Sequence, residues 1–203
     1  MQLLANTTSP YVRIARIALY EKGIEIEPTI VDPWADDYRL RAANPATRVP
    51  TLLLDDGTSL SESLLIVQWL EQQRPAPGFP SLLGSDATAV LSRAGIAIGV
   101  IDAAVHTIII RKVTAPSLFD ETPVGLRRRR TMVEGIDRLE AIQSNQGLFD
   151  HGTPTLDTIC AIVAVDYLCL RFGDAGWLPS TPGLKALSNK SLERASFSKT
   201  VPY

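Results

Sequence analysis

The sequence predicts an α/β domain in its first part and an all-α domain in the remainder. Three observations carry that prediction. Up to residue 73, apolar residues alternate between strand-like and helix-like spacing, in the order strand, helix, strand, short helix, hairpin, helix. Residues 74–85 then hold three prolines and two glycines, the clearest composition break in the chain. Beyond that break strand signals nearly vanish and long helical periods take over. The predicted boundaries are 1–78 for the first domain, 79–85 for the linker and 86–203 for the helical domain.

Met1–Ala5 is an apolar run suited to a buried strand, and Asn6–Pro10 is turn chemistry. In Tyr11–Lys22, Tyr11, Ile14, Ala15, Ala18 and Leu19 recur at helical spacing. Pro10 suits the first helical position, which makes Ser9 the N-cap, and Gly23 suits the C′ position. Ile24–Val31 alternates and reads as a second strand, placed at an edge by Pro28. A short helix is expected near Tyr38–Ala42, followed by a turn at Asn44–Pro45. Pro50 stands before the apolar run Thr51–Leu54. Asp56–Gly57 then signals a hairpin into Thr58–Leu60, and Ser61-Glu62-Ser63 opens a helix reaching Gln73.

In the second half, Asp86–Val113 reads as a long helix, although Ile108-Ile109-Ile110 favours a strand by propensity. A second helix runs from Thr122–Pro123 to about Gln146, with Gly147 just past its end. Thr155–Arg171 is apolar nearly all round and should be the central buried helix, with Thr155 as N-cap. Pro182–Asn189 and Ser191–Ser196 are short helices.

The chain has 203 residues, 45% hydrophobic and 21% charged, with a net charge of −2. That balance predicts no nucleic-acid partner, since phosphate binding needs a concentrated positive surface. The one local exception, Arg127–Arg130, exceeds the exposed face of a helix, so some of these arginines should find carboxylates such as Glu121 or Glu134. Cys160 and Cys169 sit on one apolar helix, too far apart for an easy intrahelical disulfide, and point to a reducing, cytoplasmic setting. No basic segment followed by an apolar core opens the chain, so no secretory signal is expected. No run approaches eighteen uninterrupted apolar residues, so no membrane-spanning helix is expected. His106 and His151 have no partner at ligand spacing, so no metal is expected, and His151 reads as a solvated turn residue. A hydrolase elbow, Gly-x-Ser-x-Gly, is missing as well.

The segment Arg48–Ser63 carries the most chemistry. An X-Pro bond reaches the cis form at modest cost, which would turn the Val49 N–H and C=O toward a ligand's main chain. Glu62 and Ser63 then place an acid and a hydroxyl at a helix N-terminus, where anions bind. The pair suits a peptide-like ligand bearing both an ammonium and a carboxylate; a plain hairpin with a capped helix reads equally well from these residues alone.

Taken in order, Ser9-Pro10-Tyr11-Val12-Arg13, Asn44-Pro45 through Val49-Pro50, Glu62-Ser63 and the helical second half resemble the small bacterial glutathione S-transferases. The likeness covers the whole chain, including the tail Glu193-Arg194-Ala195-Ser196-Phe197. It implies a thioredoxin-like N-terminal domain that binds glutathione and an all-α C-terminal domain that receives a small hydrophobic electrophile or a peroxide. It also implies a cytoplasmic homodimer that uses glutathione as co-substrate and no prosthetic group. Carried over by position, Val49 and Pro50 meet the cysteinyl backbone, Glu62 meets the γ-glutamyl ammonium and Ser63 holds the α-carboxylate. Ser9 is the candidate activator of the thiol and Thr8 its rival, because a thiolate forms near neutrality only when its charge is stabilised.

This chain departs from the resemblance at particular places. Ala35 offers no polar group for the glycyl carboxylate, so Arg48 or the Trp34 indole would compensate, and Thr47 replaces a frequent glycine. Thr158 replaces the acid of a Ser/Thr-x-x-Asp capping box, so that box is not expected although the helix is. Tyr11, His106, Arg111 and Tyr167 are candidate walls of the electrophile pocket. A non-catalytic glutathione-binding or protein-interaction module of the same fold is the alternative function.

Overall fold

The computed structural model describes residues 1–115, 119–147 and 152–202. The chain packs as two units, Met1–Leu82 together with the tail from Leu192, and Leu83–Ser191.

In the first unit the β1 strand (Gln2–Ala5) is central, with Leu3 and Ala5 wholly buried. Helix α1 (Pro10–Glu21) follows the Asn6–Ser9 turn, capped by Ser9 and closed by Lys22 and Gly23, the glycine at φ 69°. The β2 strand (Thr29–Ile30) pairs parallel to β1. It is far shorter than the alternation of Ile24–Val31 suggests, because Pro28 has no N–H and the ladder starts only after it. Ile24 is buried nonetheless, so its apolar signal reports packing rather than pairing. Helix α2 (Tyr38–Ala43), capped by Asp37, leads into β3 (Thr51–Leu53), β4 (Ser59–Ser61) and helix α3 (Ser63–Gln73). The four-stranded sheet has the order β2-β1-β3-β4, with β3 antiparallel to both β1 and β4. Helices α1 and α3 pack on each other. On the opposite side Leu4, Val31 and Leu40 form a small cluster against which Val49 and Leu53 rest.

The second unit is helical: α4 (Ala87–Val113), α5 (Pro123–Gln146), α6 (Leu156–Phe172) and α7 (Pro182–Ser191). Helix α6 is the centre, with Ile159 to Ala164 all at or below 1% exposure, and α4 packs on both α5 and α6. The β-branched run Ile108–Ile110 stays helical because it continues a helix already held by that packing. Helix α4 is long and apolar enough to cross a membrane by length and composition alone, a test that the core helix of a folded domain also passes. Arg93 and Asp102 break the apolar run but leave the mean hydropathy at 1.7. Its inward residues Val90, Ala94, Ala97, Ile101 and Ala104 are buried.

At the start of α6 the Thr155 side chain makes no capping hydrogen bond, and another arrangement takes its place. Asp157 accepts from the Thr155 hydroxyl, from the Thr158 N–H at 2.9 Å and from Arg93 Nε at 2.5 Å. The tail forms a last turn, α8 (Ala195–Ser198), that packs on α1 within the first unit rather than with the helices preceding it. Near the end of residues 74–82 Leu82 is wholly buried, and its N–H together with the Ser81 hydroxyl donates to the Glu71 carboxylate. His151 lies outside the described residues.

Candidate functional site

Strand register decides which termini meet. Leu4 of β1 pairs with Thr51 of β3, and Thr51 pairs with Ser61 of β4. The C-terminal end of β1, the start of β3 and the end of β4 therefore lie side by side, within about 10 Å at ordinary strand spacing. Ser9 follows the first, Val49–Pro50 precedes the second and Glu62–Ser63 follows the third. The parallel partner Ile30 sits beside Ala5, which brings the Asp32–Ala35 loop to the same end. Two helices of ordinary length, α1 and α3, begin there. Each directs unpaired N–H groups and the positive end of its dipole toward that end of the sheet.

At α1, the Ser9 oxygen accepts from the Val12 N–H at 3.3 Å, so its own proton remains free to be donated. The Ser9 N–H donates to Asn6 Oδ1 at 2.8 Å, a contact that fixes the turn and that sequence reading passes over as generic turn chemistry. Ser9 and Thr8 are both half-buried. Among the described residues the Thr8 hydroxyl has no hydrogen-bond partner, whereas that of Ser9 is held in place.

Val49–Pro50 is cis. The Val49 side chain packs on the Leu4–Val31–Leu40 cluster. Among the described residues the Val49 main chain has no partner outside the strand ladder. Its position is set by a buried knot. The Thr51 hydroxyl donates to the Arg48 carbonyl at 2.8 Å, and the Asn44 amide donates to that carbonyl at 3.3 Å and to Thr51 Oγ1 at 3.2 Å. Asn44 and Thr51 are further residues that sequence reading assigns only to a turn and a strand.

Glu62 has φ 70° and ψ 125°, an unfavourable conformation for a residue with a Cβ, and as N-cap of α3 its side chain caps nothing. Its carboxylate instead lies half-exposed, 3.4 Å from the Arg48 guanidinium, while Ser63 beside it is 3% exposed. Among the described residues the only non-glycine residues at positive φ are Asp36, Thr47 and Glu62. All three fall in the loops gathered at this end of the sheet, so backbone strain concentrates where the candidate residues do. Trp34 is 55% exposed with its N–H bonded to Asp32 Oδ1, and Ala35 is exposed beside it.

The proposed pocket walls divide between the units. Tyr11 is half-buried in the first turn of α1. In the helical unit His106 is exposed, with Nδ1 2.8 Å from the Asp102 carbonyl. Arg111 grips Asp120 with two nitrogens and lies over the Phe172 ring at 5.1 Å. Tyr167 is 6% exposed beneath Arg171, and burial raises its phenol above the ordinary range. Arg111 and Tyr167 are thus engaged in packing, and only His106 is openly presented. The arginine run meets Glu121 through Arg129 at 3.1 Å and Glu134 through Arg130 at 4.0 Å, the two acids named from sequence. Among the described residues no cluster of His, Cys, Asp and Glu could hold a metal.

The strand order, the two helix N-termini and the helical second unit define a thioredoxin-like domain joined to an all-α domain. Residues 3–78 match the family profile described as glutathione S-transferase, N-terminal domain. The uncharacterized GST-like protein YibF of Escherichia coli K12 is 30% identical over 202 residues, covering 100% of this chain and 98% of its own. A glutathione S-transferase from Methylobacterium radiotolerans, solved with glutathione sulfonate, superposes with a TM-score of 0.87 at 32% identity, covering 100% of this chain and 94% of the other. One from Methylobacillus flagellatus, solved with glutathione bound, gives 0.84 at 28% identity, covering 100% and 99%. The chain belongs to the glutathione S-transferase family.

Proposed function

We propose that this protein is a glutathione transferase whose glutathione site lies at the C-terminal end of β1. The observation that carries the reading is the convergence of two helix N-termini, α1 at Ser9 and α3 at Ser63, on one end of the sheet. A ligand with a thiolate and a carboxylate about a dipeptide apart matches two such termini, and the Glu62 carboxylate between them matches an ammonium. Glutathione has these three groups; the similar protein from Methylobacillus flagellatus carries it in its structure, and the one from Methylobacterium radiotolerans carries glutathione sulfonate.

In this reading the Val49 main chain pairs with the cysteinyl backbone, and Glu62 accepts from the γ-glutamyl ammonium. The Ser63 hydroxyl and N–H hold the α-carboxylate. Arg48, with Trp34 and the main chain at Ala35, meets the glycyl end. The Ser9 hydroxyl donates a hydrogen bond to the sulfur and keeps its own proton, which lowers the cost of the thiolate left when the thiol proton passes to water. The thiolate then attacks an electrophilic carbon, forming a C–S bond as the leaving group departs with the electron pair. Positioning and charge stabilisation supply the rate. Both cysteines, Cys160 and Cys169, lie outside the first domain, so a protein dithiol has no part in the step. The reading extends to a cytoplasmic homodimer with His106 of α4 facing the second substrate.

Retention on glutathione-agarose followed by turnover of a chloronitroaromatic substrate tests the function. Retention with turnover supports a transferase, and retention without turnover supports a binding module. Ser9→Ala should lower kcat by about tenfold to a hundredfold, the worth of one hydrogen bond to a charged atom. A large loss in Thr8→Ala alone would move the role to Thr8.

A further inference from the structure

Two adjacent residues at the far end of α1 hold two separate segments of chain. Lys22, wholly buried, donates to the Arg74 carbonyl at 2.9 Å and pairs with Glu71 at 2.6 Å. Glu71 in turn accepts from the Ser81 hydroxyl at 3.1 Å and the Leu82 N–H at 2.9 Å. Glu21, with a side chain 6% exposed, accepts from Arg194 Nε at 3.2 Å, Arg194 Nη2 at 2.7 Å and the Ser196 hydroxyl at 2.5 Å. Farther along the tail, Arg16 Nη2 donates to the Lys199 carbonyl at 2.9 Å, and Phe197 is wholly buried. Residues 74–82 are where the chain leaves the first unit and the tail from Leu192 is where it returns.

We propose that Glu21 and Lys22 form a double fastening that anchors both connections of the helical unit to α1 and so sets the position of Ser9. Helix α1 is 12 residues long, about 18 Å, and is a stiff rod. Its C-terminal end carries both fastenings and its N-terminal end carries the Ser9 hydroxyl, so displacing one end displaces the other. Glu21 and Arg194 are therefore positioning residues, acting on the sulfur through α1 without touching it. Val49 and Glu62 lie off the rod, and Ser63 opens α3, which stays tied to α1 through the Lys22–Glu71 pair that the Glu21 and Arg194 substitutions leave intact. The inference rests on the glutathione reading only where it invokes Ser9; the fastening itself does not depend on it.

The test compares the full-length wild type with Glu21→Gln and with Arg194→Lys, which keeps the charge but loses the fork that grips Glu21. Amide exchange is measured over residues 74–82 and 192–202, with kcat, KM for glutathione and the pH profile of kcat/KM. In both variants exchange in 192–202 should rise about tenfold or more while 74–82 stays protected, since the second fastening is intact. The rate kcat should fall by about tenfold, with the pH profile displaced to higher pH and KM for glutathione within about twofold. Unchanged exchange in the tail overturns the fastening. Faster exchange with unchanged kcat and pH profile overturns the positioning role. If Ser9→Ala leaves the pH profile unmoved, the thiol-activation reading fails instead, and tail exchange alone decides the fastening.

Discussion

The Arg48 guanidinium lies 3.4 Å from the Glu62 carboxylate, and both side chains are more than half exposed. An exposed pair of this kind contributes roughly 0–1 kcal/mol to stability, too little to account for an acid held at φ 70°. Under the proposed function the carboxylate serves the glutathione ammonium. Glu62→Gln should leave the melting temperature nearly unchanged and weaken glutathione binding by about 1.5–3 kcal/mol, the worth of a charged hydrogen bond. Calorimetric titration checks this, and normal affinity in the variant would remove Glu62 from the γ-glutamyl subsite.

Strain at the same residue gives an opposing pair of effects. Glycine reaches φ 70° without the Cβ penalty, so Glu62→Gly relieves a conformation costing about 1–3 kcal/mol and offsets part of that gain with added unfolded-chain entropy. The expected outcome is a protein about 1 kcal/mol more stable to urea that no longer stays on glutathione-agarose. A less stable variant would mean that the positive φ relaxes in solution.

How much of this was legible in the sequence depended on how local the signal was. Helix α1 carries its start and stop within fifteen residues, Ser9-Pro10 and Gly23, which mark its bounds almost to the residue. Ser9, Val49–Pro50 and Glu62–Ser63 could be singled out because each is a short motif at an element's end. Their convergence became visible only through the register of Leu4, Thr51 and Ser61, which no periodicity encodes. Asn6, Asn44 and Thr51 act through side-chain hydrogen bonds inside loops, where composition says only "turn". The Glu21–Arg194 contact joins residues 173 apart, and nothing at either position announces the other. Ile24–Val31 misled because alternation does not distinguish a paired strand from a segment that merely buries Ile24.

The helical unit offers a test of the rearranged cap on α6. Asp157 is 1% exposed and its charge is met by Arg93, itself 25% exposed by side chain. Removing the arginine strands a buried carboxylate, so Arg93→Met should cost about 3 kcal/mol in urea unfolding. Adding Asp157→Asn should restore part of the loss, because the neutral amide oxygen still accepts from Thr155 and the Thr158 N–H. A double variant no more stable than Arg93→Met would show that the pair contributes packing rather than charge.

The two cysteines should behave as buried apolar residues, and differently from each other. Burial pushes the Cys160 thiol far above its ordinary range, with the Asp157 charge adding to the effect. Cys169 is raised as well, by burial first and by Asp166, against which Lys185 acts in the opposite direction. Both shifts lower the thiolate fraction at neutral pH, and only the thiolate reacts with a disulfide reagent. In the native protein at pH 7.5, an aromatic disulfide reagent should therefore titrate at most one thiol, slowly, at the half-buried Cys169. The rate should climb as pH rises above the ordinary thiol range. Cys160, with no exposed surface on the central helix α6, should react only when that helix opens, so its modification rate in urea should follow unfolding. Two thiols reacting within seconds under native conditions would contradict the packing of α6.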